Sequence, residues 1–117
     1  MVVVGHHAIL DFHGVSVGVL NYVEPLRTVM RKVAEEAKMH ILAEDYHQFS
    51  PVGASGIILV EESHIAYHSY PESNLLTVDI YSCGDYEAFM NGVNYLIKIL
   101  DGDVEMHILK RGEEFNE

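Results

Sequence analysis

Four short, mainly apolar segments follow one another between Met39 and Cys83, and a stripe of helical period stands on either side of them. That order leaves few architectures open. Consecutive strands joined by tight turns pair antiparallel, and two flanking amphipathic helices must bury their stripes on a shared sheet. The segments are Met39 to Ala43, running on through Glu44-Asp45-Tyr46-His47 toward Ser50-Pro51; Ile57 to Val60; Ile65 to Ser69; and Leu75 to Ser82. In the last, Val78, Ile80 and Ser82 share one face and Asp79, Tyr81 and Cys83 the other. Pro51 ends sheet pairing, and Gly53-Ala54-Ser55-Gly56 reads as a turn.

Upstream, His7 to Phe12 reads as a first strand closed by the breaker His13-Gly14. Pro25 suits a first helical turn, and Leu26, Val29, Met30, Val33 and Ala37 recur at spacings of three and four, with Arg27, Arg31, Lys32 and Glu35 outside the stripe. Downstream, Asp85 is a candidate cap for a second helix carrying Phe89, Val93, Leu96, Ile97 and Leu100. Asp101-Gly102 then turns into a last strand around Val104 to Leu109, and the charged tail from Lys110 is expected to fray. The expected fold is α+β: a two-layer sandwich, a largely antiparallel sheet with two helices on one face, in a single domain over residues 1–117. The other sheet face needs cover, so a homodimer is expected.

The chain has 117 residues, 49% of them hydrophobic, enough for one core and too few for two. Seven Lys+Arg against eighteen Asp+Glu leave a formal charge of −11. Such a balance repels phosphate backbones and anionic lipids, so neither nucleic acid nor membrane is expected as a partner. It would attract a small cationic substrate, although acidic surface also simply keeps a small protein in solution. Cys83 is the single cysteine and cannot form an internal disulfide, which points to a reducing cytoplasm. Met1 to Leu10 lacks the pattern of a signal peptide, and no apolar run approaches the ~20 residues that span a bilayer.

Eight histidines raise the question of a metal. On a strand His64 and His68 stand ~13 Å apart, and the neighbours His6 and His7 point to opposite faces, so no metal is expected. There is no Gly-rich phosphate loop, no Gly-x-Ser-x-Gly elbow and no His-Glu-x-x-His. What remains is Cys83 beside Gly84 at a strand end, His68 on a neighbouring strand, and the polar break Glu61-Glu62-Ser63-His64. Singly, each has a plain explanation: a small buried thiol, a satisfied histidine, a hairpin turn.

Together, the residues from Phe49 to Gly84 form a pattern: Phe49 and Pro51, Gly53-x-Ser55-Gly56, Glu62-Ser63-His64, His68, Pro71-Glu72 and Asp79-x-Tyr81-x-Cys83-Gly84. This resembles the prokaryotic S-adenosylmethionine decarboxylase proenzymes, with weaker agreement at Gly5 and His7 and at Arg111-Gly112. The resemblance implies an autocatalytic cut between Glu62 and Ser63, giving chains 1–62 and 63–117 of one fold. Ser63 would attack the Glu62 carbonyl, assisted by Ser55 and His68, and end as a pyruvoyl group, with no metal and no pyridoxal phosphate. The substrate amine would condense with that carbonyl, and Cys83 would reprotonate the substrate carbon after decarboxylation. A thiol near its ordinary pKa of ~8.5 is mostly protonated at neutral pH, as that role requires.

By the same resemblance Phe49 stacks on adenine, Tyr70 offers a second ring across a dimer interface, and Glu72 holds the ribose hydroxyls; plain core packing is the alternative for Phe49. Ser63 and His68, five apart, would face opposite ways on an ideal strand, so Ser63 is expected in an irregular turn outside the ladder. The chain departs from the family at Ser73-Asn74-Leu75 and at Gly5-His6-His7. Two rival readings therefore stay open: a pyruvoyl-dependent decarboxylase of arginine or ornithine, and an uncut, non-catalytic binding or regulatory relative.

Overall fold

The computed structural model describes residues 4–61 and 63–112. Its elements, in chain order, are β1 (Gly5–His13), a one-turn helix α1 (Val17–Leu20), α2 (Val23–Glu36), β2 (Ile41–Gln48), β3 (Ala54–Val60), β4 (Ser63–Tyr70), a 3-10 turn (Pro71–Ser73), β5 (Leu75–Ser82), α3 (Tyr86–Ile99) and β6 (Asp103–Arg111). The six strands form one sheet in the order β2-β3-β4-β5-β1-β6, and every neighbouring pair is antiparallel. The helices lie on one face, as the two helical stripes require. Two elements carry no sequence signal, α1, whose Val-Gly-Val-Leu is too short to show a period, and the 3-10 turn Pro71–Ser73.

Alternation divides β1, β4 and β5 cleanly. Ala8, Leu10 and Phe12 of β1, Ile65 and Tyr67 of β4, and Leu76, Val78 and Ile80 of β5 are buried toward the helices. There they meet Leu26, Met30 and Val33 of α2 and Phe89, Val93 and Leu96 of α3. Each fully buried aliphatic or aromatic side chain contributes ~1.5–3 kcal/mol, so this shared face is what holds the domain together. The Asp85 side chain accepts a hydrogen bond from the Ala88 N–H at 2.9 Å and caps α3 as its position suggests. On the opposite, helix-free face Ile9, Ile57, Leu59 and Leu109 are exposed.

Three local expectations are corrected. Residues 54–56 are not a turn: they open β3, and the chain turns before them, through bends at residues 50–52 that end on Gly53 at φ +109°. Glycine at 56 serves close approach, because a Cβ there would run into the ring of Tyr67 and come within 2.7 Å of Tyr46 Cδ1. Ser63 stands in the ladder as the first residue of β4, Cα partner to both Val60 and Ser82. Lys110 and Arg111 do not fray, since they pair with His6 and Gly5 and extend β6.

Candidate active site

Ser63 opens β4 as the Cα partner of Val60, the last residue of β3, and Glu61 beyond Val60 is in a turn. Glu62, the residue expected before the cut, lies outside the described residues. The Ser63 side chain points toward the helices and is almost fully buried, as is Ser82 directly across from it. Both reach the floor of a cavity of about 390 Å3 whose rim carries Lys38, His40, Glu61, Asp85 and Glu87. Ser82 Oγ accepts the Gly84 N–H at 3.1 Å, a short side-chain closure that fixes the backbone around half-buried Cys83 as the chain leaves β5. Ser63 and Cys83 thus share one end of the sheet. The shared face of Val78, Ile80 and Ser82 was legible from their alternation, but the pairing of Ser82 with Ser63 was not, because Ser63 was expected outside the ladder.

Ser55 and His68 form a second group. They are Cα partners on β3 and β4, and Ser55 Oγ lies 2.7 Å from His68 Nδ1. Their pair lines a hollow of about 370 Å3 with Asp45, His47 and Ala66 on the helix-free face. Along β4, the five steps from Ser63 to His68 cover ~16 Å at ~3.3 Å per residue. Within one chain, therefore, Ser55 and His68 are not brought to Ser63 as expected: an odd spacing on a regular strand sends the side chains to opposite faces.

The expected substrate residues stand with the second group. Phe49 follows β2, and its ring is half exposed, which removes the core-packing alternative; it meets His47 edge to face with centroids 4.6 Å apart. The residues 49–53 close on themselves through the Phe49 N–H to Gly53 O bond at 2.8 Å. Pro71 Cδ and Phe49 Cβ lie 3.6 and 3.7 Å from the Cβ that a side chain at Gly53 would carry. That juxtaposition places the 3-10 turn bearing exposed Glu72 beside the Phe49 segment. Tyr70, also exposed, is the last residue of β4.

Histidine matters on the helix-free face in a way the sequence did not show. His64 Nε2 and His7 Nε2 lie 2.9 and 3.3 Å from the same Asp79 oxygen, a grouping close enough for a cation. Arg111 Nη1 is 2.8 Å from His7 Nδ1. A guanidinium can only donate, so Nδ1 supplies the lone pair and Nε2 carries the hydrogen that points at Asp79. That tautomer withholds from a metal the Nε2 lone pair it would need, and the trio reads as a hydrogen-bond network. On the helix side, burial raises the phenol of Tyr46, helped by the bond it donates to Glu44 at 2.6 Å. Burial likewise pushes Tyr67 up to about 12.

A sequence profile described as S-adenosylmethionine decarboxylase matches residues 6–112. The chain belongs to the S-adenosylmethionine decarboxylase family. Relatives named S-adenosylmethionine decarboxylase proenzyme include one from Picrophilus torridus, 37% identical over 99% of this chain and 90% of its own length. Another, from Thermoplasma acidophilum, is 36% identical over 97% of this chain and 88% of its own. The crystal structure of the adenosylmethionine decarboxylase from Aquifex aeolicus superimposes with a TM-score of 0.91 at 30% identity, covering 100% of this chain and 98% of that one. The antiparallel sheet with its one-sided helices is therefore the fold of an S-adenosylmethionine decarboxylase family member.

Proposed function

We propose that the chain is a self-processing proenzyme that decarboxylates S-adenosylmethionine and so supplies an aminopropyl donor for spermidine synthesis. The observation that supports it is the seat of Ser63: first in its strand, with its side chain at the floor of a cavity, in a family whose members carry the proenzyme name. Attack of Ser63 Oγ on the Glu62 carbonyl exchanges the peptide bond for an ester. Loss of the Ser63 α-proton then releases Glu62 as a carboxylate. Hydrolysis of the remaining dehydroalanine frees ammonia and leaves a pyruvoyl group at residue 63. That group supplies an electrophilic carbonyl able to take up the electron pair freed when the substrate loses carbon dioxide. The residues present suit it, since a carbonyl at the start of β4 opens onto a cavity wide enough for a substrate.

The chain's own groups then divide the work. Cys83, beside the β4 start, is the acid that returns a proton to the substrate carbon. His68, held by Ser55, handles the proton of the processing step. Phe49 and Tyr70 stack on the adenine, and Glu72 binds the ribose hydroxyls. The acidic surface favours a cationic sulfonium over an anion. The exposed apolar residues Ile9, Ile57, Leu59 and Leu109 of the helix-free face support a homodimer in which two copies, related by a twofold axis, stack on those faces and cover them. A reducing cytoplasm would preserve the Cys83 thiol this role needs, and no helix among the described residues is long and apolar enough to cross a membrane.

Intact mass under denaturing conditions tests the reading. Wild type should give two fragments, one ending at Glu62 and one beginning with a blocked residue 63, while Ser63→Ala stays whole. An uncut wild-type chain after long incubation would overturn it.

A further inference from the structure

Gln48, the last residue of β2, joins two parts of the chain that no strand pairing connects. Its Nε2 lies 2.9 Å from Asn21 O, 3.0 Å from Phe49 O and 3.0 Å from Gly53 O. Its Oε1 accepts the Val23 N–H, the first of α2, at 2.9 Å. Three carbonyls around one end of the amide and an N–H at the other fix its orientation without ambiguity. The carbonyls belong to the α1–α2 joint and to the two ends of the Phe49–Gly53 segment, which is otherwise tied by Phe49 N–H to Gly53 O and Gly53 N–H to Asn21 O, both 2.8 Å. Gln48 is itself exposed, so holding its long side chain in one rotamer costs freedom that burial does not return. Geometry at Phe49 is what that ordering secures.

We infer that Gln48 is a positioning residue for substrate binding: its amide sets the Phe49 ring at the angle and height at which adenine stacks. This rests on the stacking role proposed for Phe49. Without the amide, the Phe49 carbonyl is released while the ring keeps only His47 at its edge, so affinity falls and the reacting end of the substrate is untouched. Self-cleavage at Ser63, at the far end of β4, has no need of the amide.

The test compares self-processed Gln48→Ala, Phe49→Ala and the double variant with wild type, measuring kcat and KM for S-adenosylmethionine together with the extent of self-cleavage. A stacked base is worth enough that freeing its platform should raise KM roughly tenfold, with kcat within roughly twofold and cleavage complete. The penalty should vanish in the Phe49→Ala background, because a missing ring cannot be misplaced. A merely structural role would lower stability in both backgrounds alike. If Phe49→Ala raises KM while Gln48→Ala does not, or if the Gln48→Ala penalty persists in full beside Phe49→Ala, the positioning role is wrong and stacking stands. If Phe49→Ala leaves KM unchanged, both fall together. Should Gln48→Ala fail to fold, Gln48→Glu keeps the acceptor for the Val23 N–H and loses the donors to the loop; a wild-type KM in that variant overturns the inference.

Discussion

Ser63 and His68 occupy the same strand, β4, yet turn to opposite faces of the sheet, Ser63 toward the helices and His68 onto the open face beside Ser55 at 2.7 Å. If catalysis needs both, each site takes one from each copy. Co-expressed Ser63→Ala and His68→Ala chains should then yield heterodimers with one site carrying both wild-type residues and one carrying neither. Activity should return to roughly a quarter of wild type, since half of randomly formed dimers are mixed and half their sites are intact. The His68→Ala chain should be cut only when the other is present. Complete inactivity of the mixture would place the whole site in one chain.

Ser82 turns its hydroxyl back to the Gly84 N–H at 3.1 Å and so fixes the backbone that carries Cys83. Small displacements of an acid cost rate far more than they cost binding. Ser82→Ala should therefore lower kcat roughly tenfold with KM little changed, and Ser82→Thr, which keeps the acceptor, should restore it. Equal loss in both variants would mean that the hydroxyl has no part in placing the thiol.

Gly56 lies under two aromatic rings, and a methyl group there would collide with Tyr67 and approach Tyr46 Cδ1 to 2.7 Å. Gly56→Ala should destabilise the fold by ~1–3 kcal/mol, read as a lower denaturant midpoint with an unchanged slope. A neutral outcome would show that the Tyr46–Tyr67 pair shifts without cost.

This position also shows where reading the sequence stopped. The two helices, all six strands and the buried row through Val78, Ile80 and Ser82 follow from periods of 3.6 and 2 that lie within single segments. Gly53-Ala54-Ser55-Gly56 looks like a turn because two glycines flank small residues, and only the packing of Tyr67 from the neighbouring strand explains why Gly56 belongs to a ladder. The candidate site was legible as a set of residues but not as a place. Ser55, Ser63, His68 and Cys83 stand close in sequence, whereas the sheet joins Ser55 to His68 and sets that pair apart from Ser63 and Cys83 by the length of β4. Gln48 and the His7–Asp79–His64 network carry no local signature, since their partners lie on segments far away in the chain.

Tyr67 is sealed in the core at 1% exposure, and among the described residues its hydroxyl has no hydrogen-bond partner. Burial, with a smaller contribution from Glu24, raises its phenol to about 12, above the ~10 of an unfolded chain. Between those values the unfolded chain has released this proton and the folded one retains it, so stability is full below pH ~10 and falls as pH rises toward 12. Tyr67→Phe keeps the ring and removes both the titrating group and the stranded hydroxyl. The variant should be at least as stable as wild type at pH 7, by up to ~1–3 kcal/mol, the cost of leaving a buried hydroxyl unsatisfied. Its stability should also decline less steeply in alkali, although Tyr46, raised by the same burial, keeps some slope. Parallel alkaline curves for the two proteins, from denaturant titrations at a series of pH values, would show that the hydroxyl finds a partner in solution and that burial alone does not govern it.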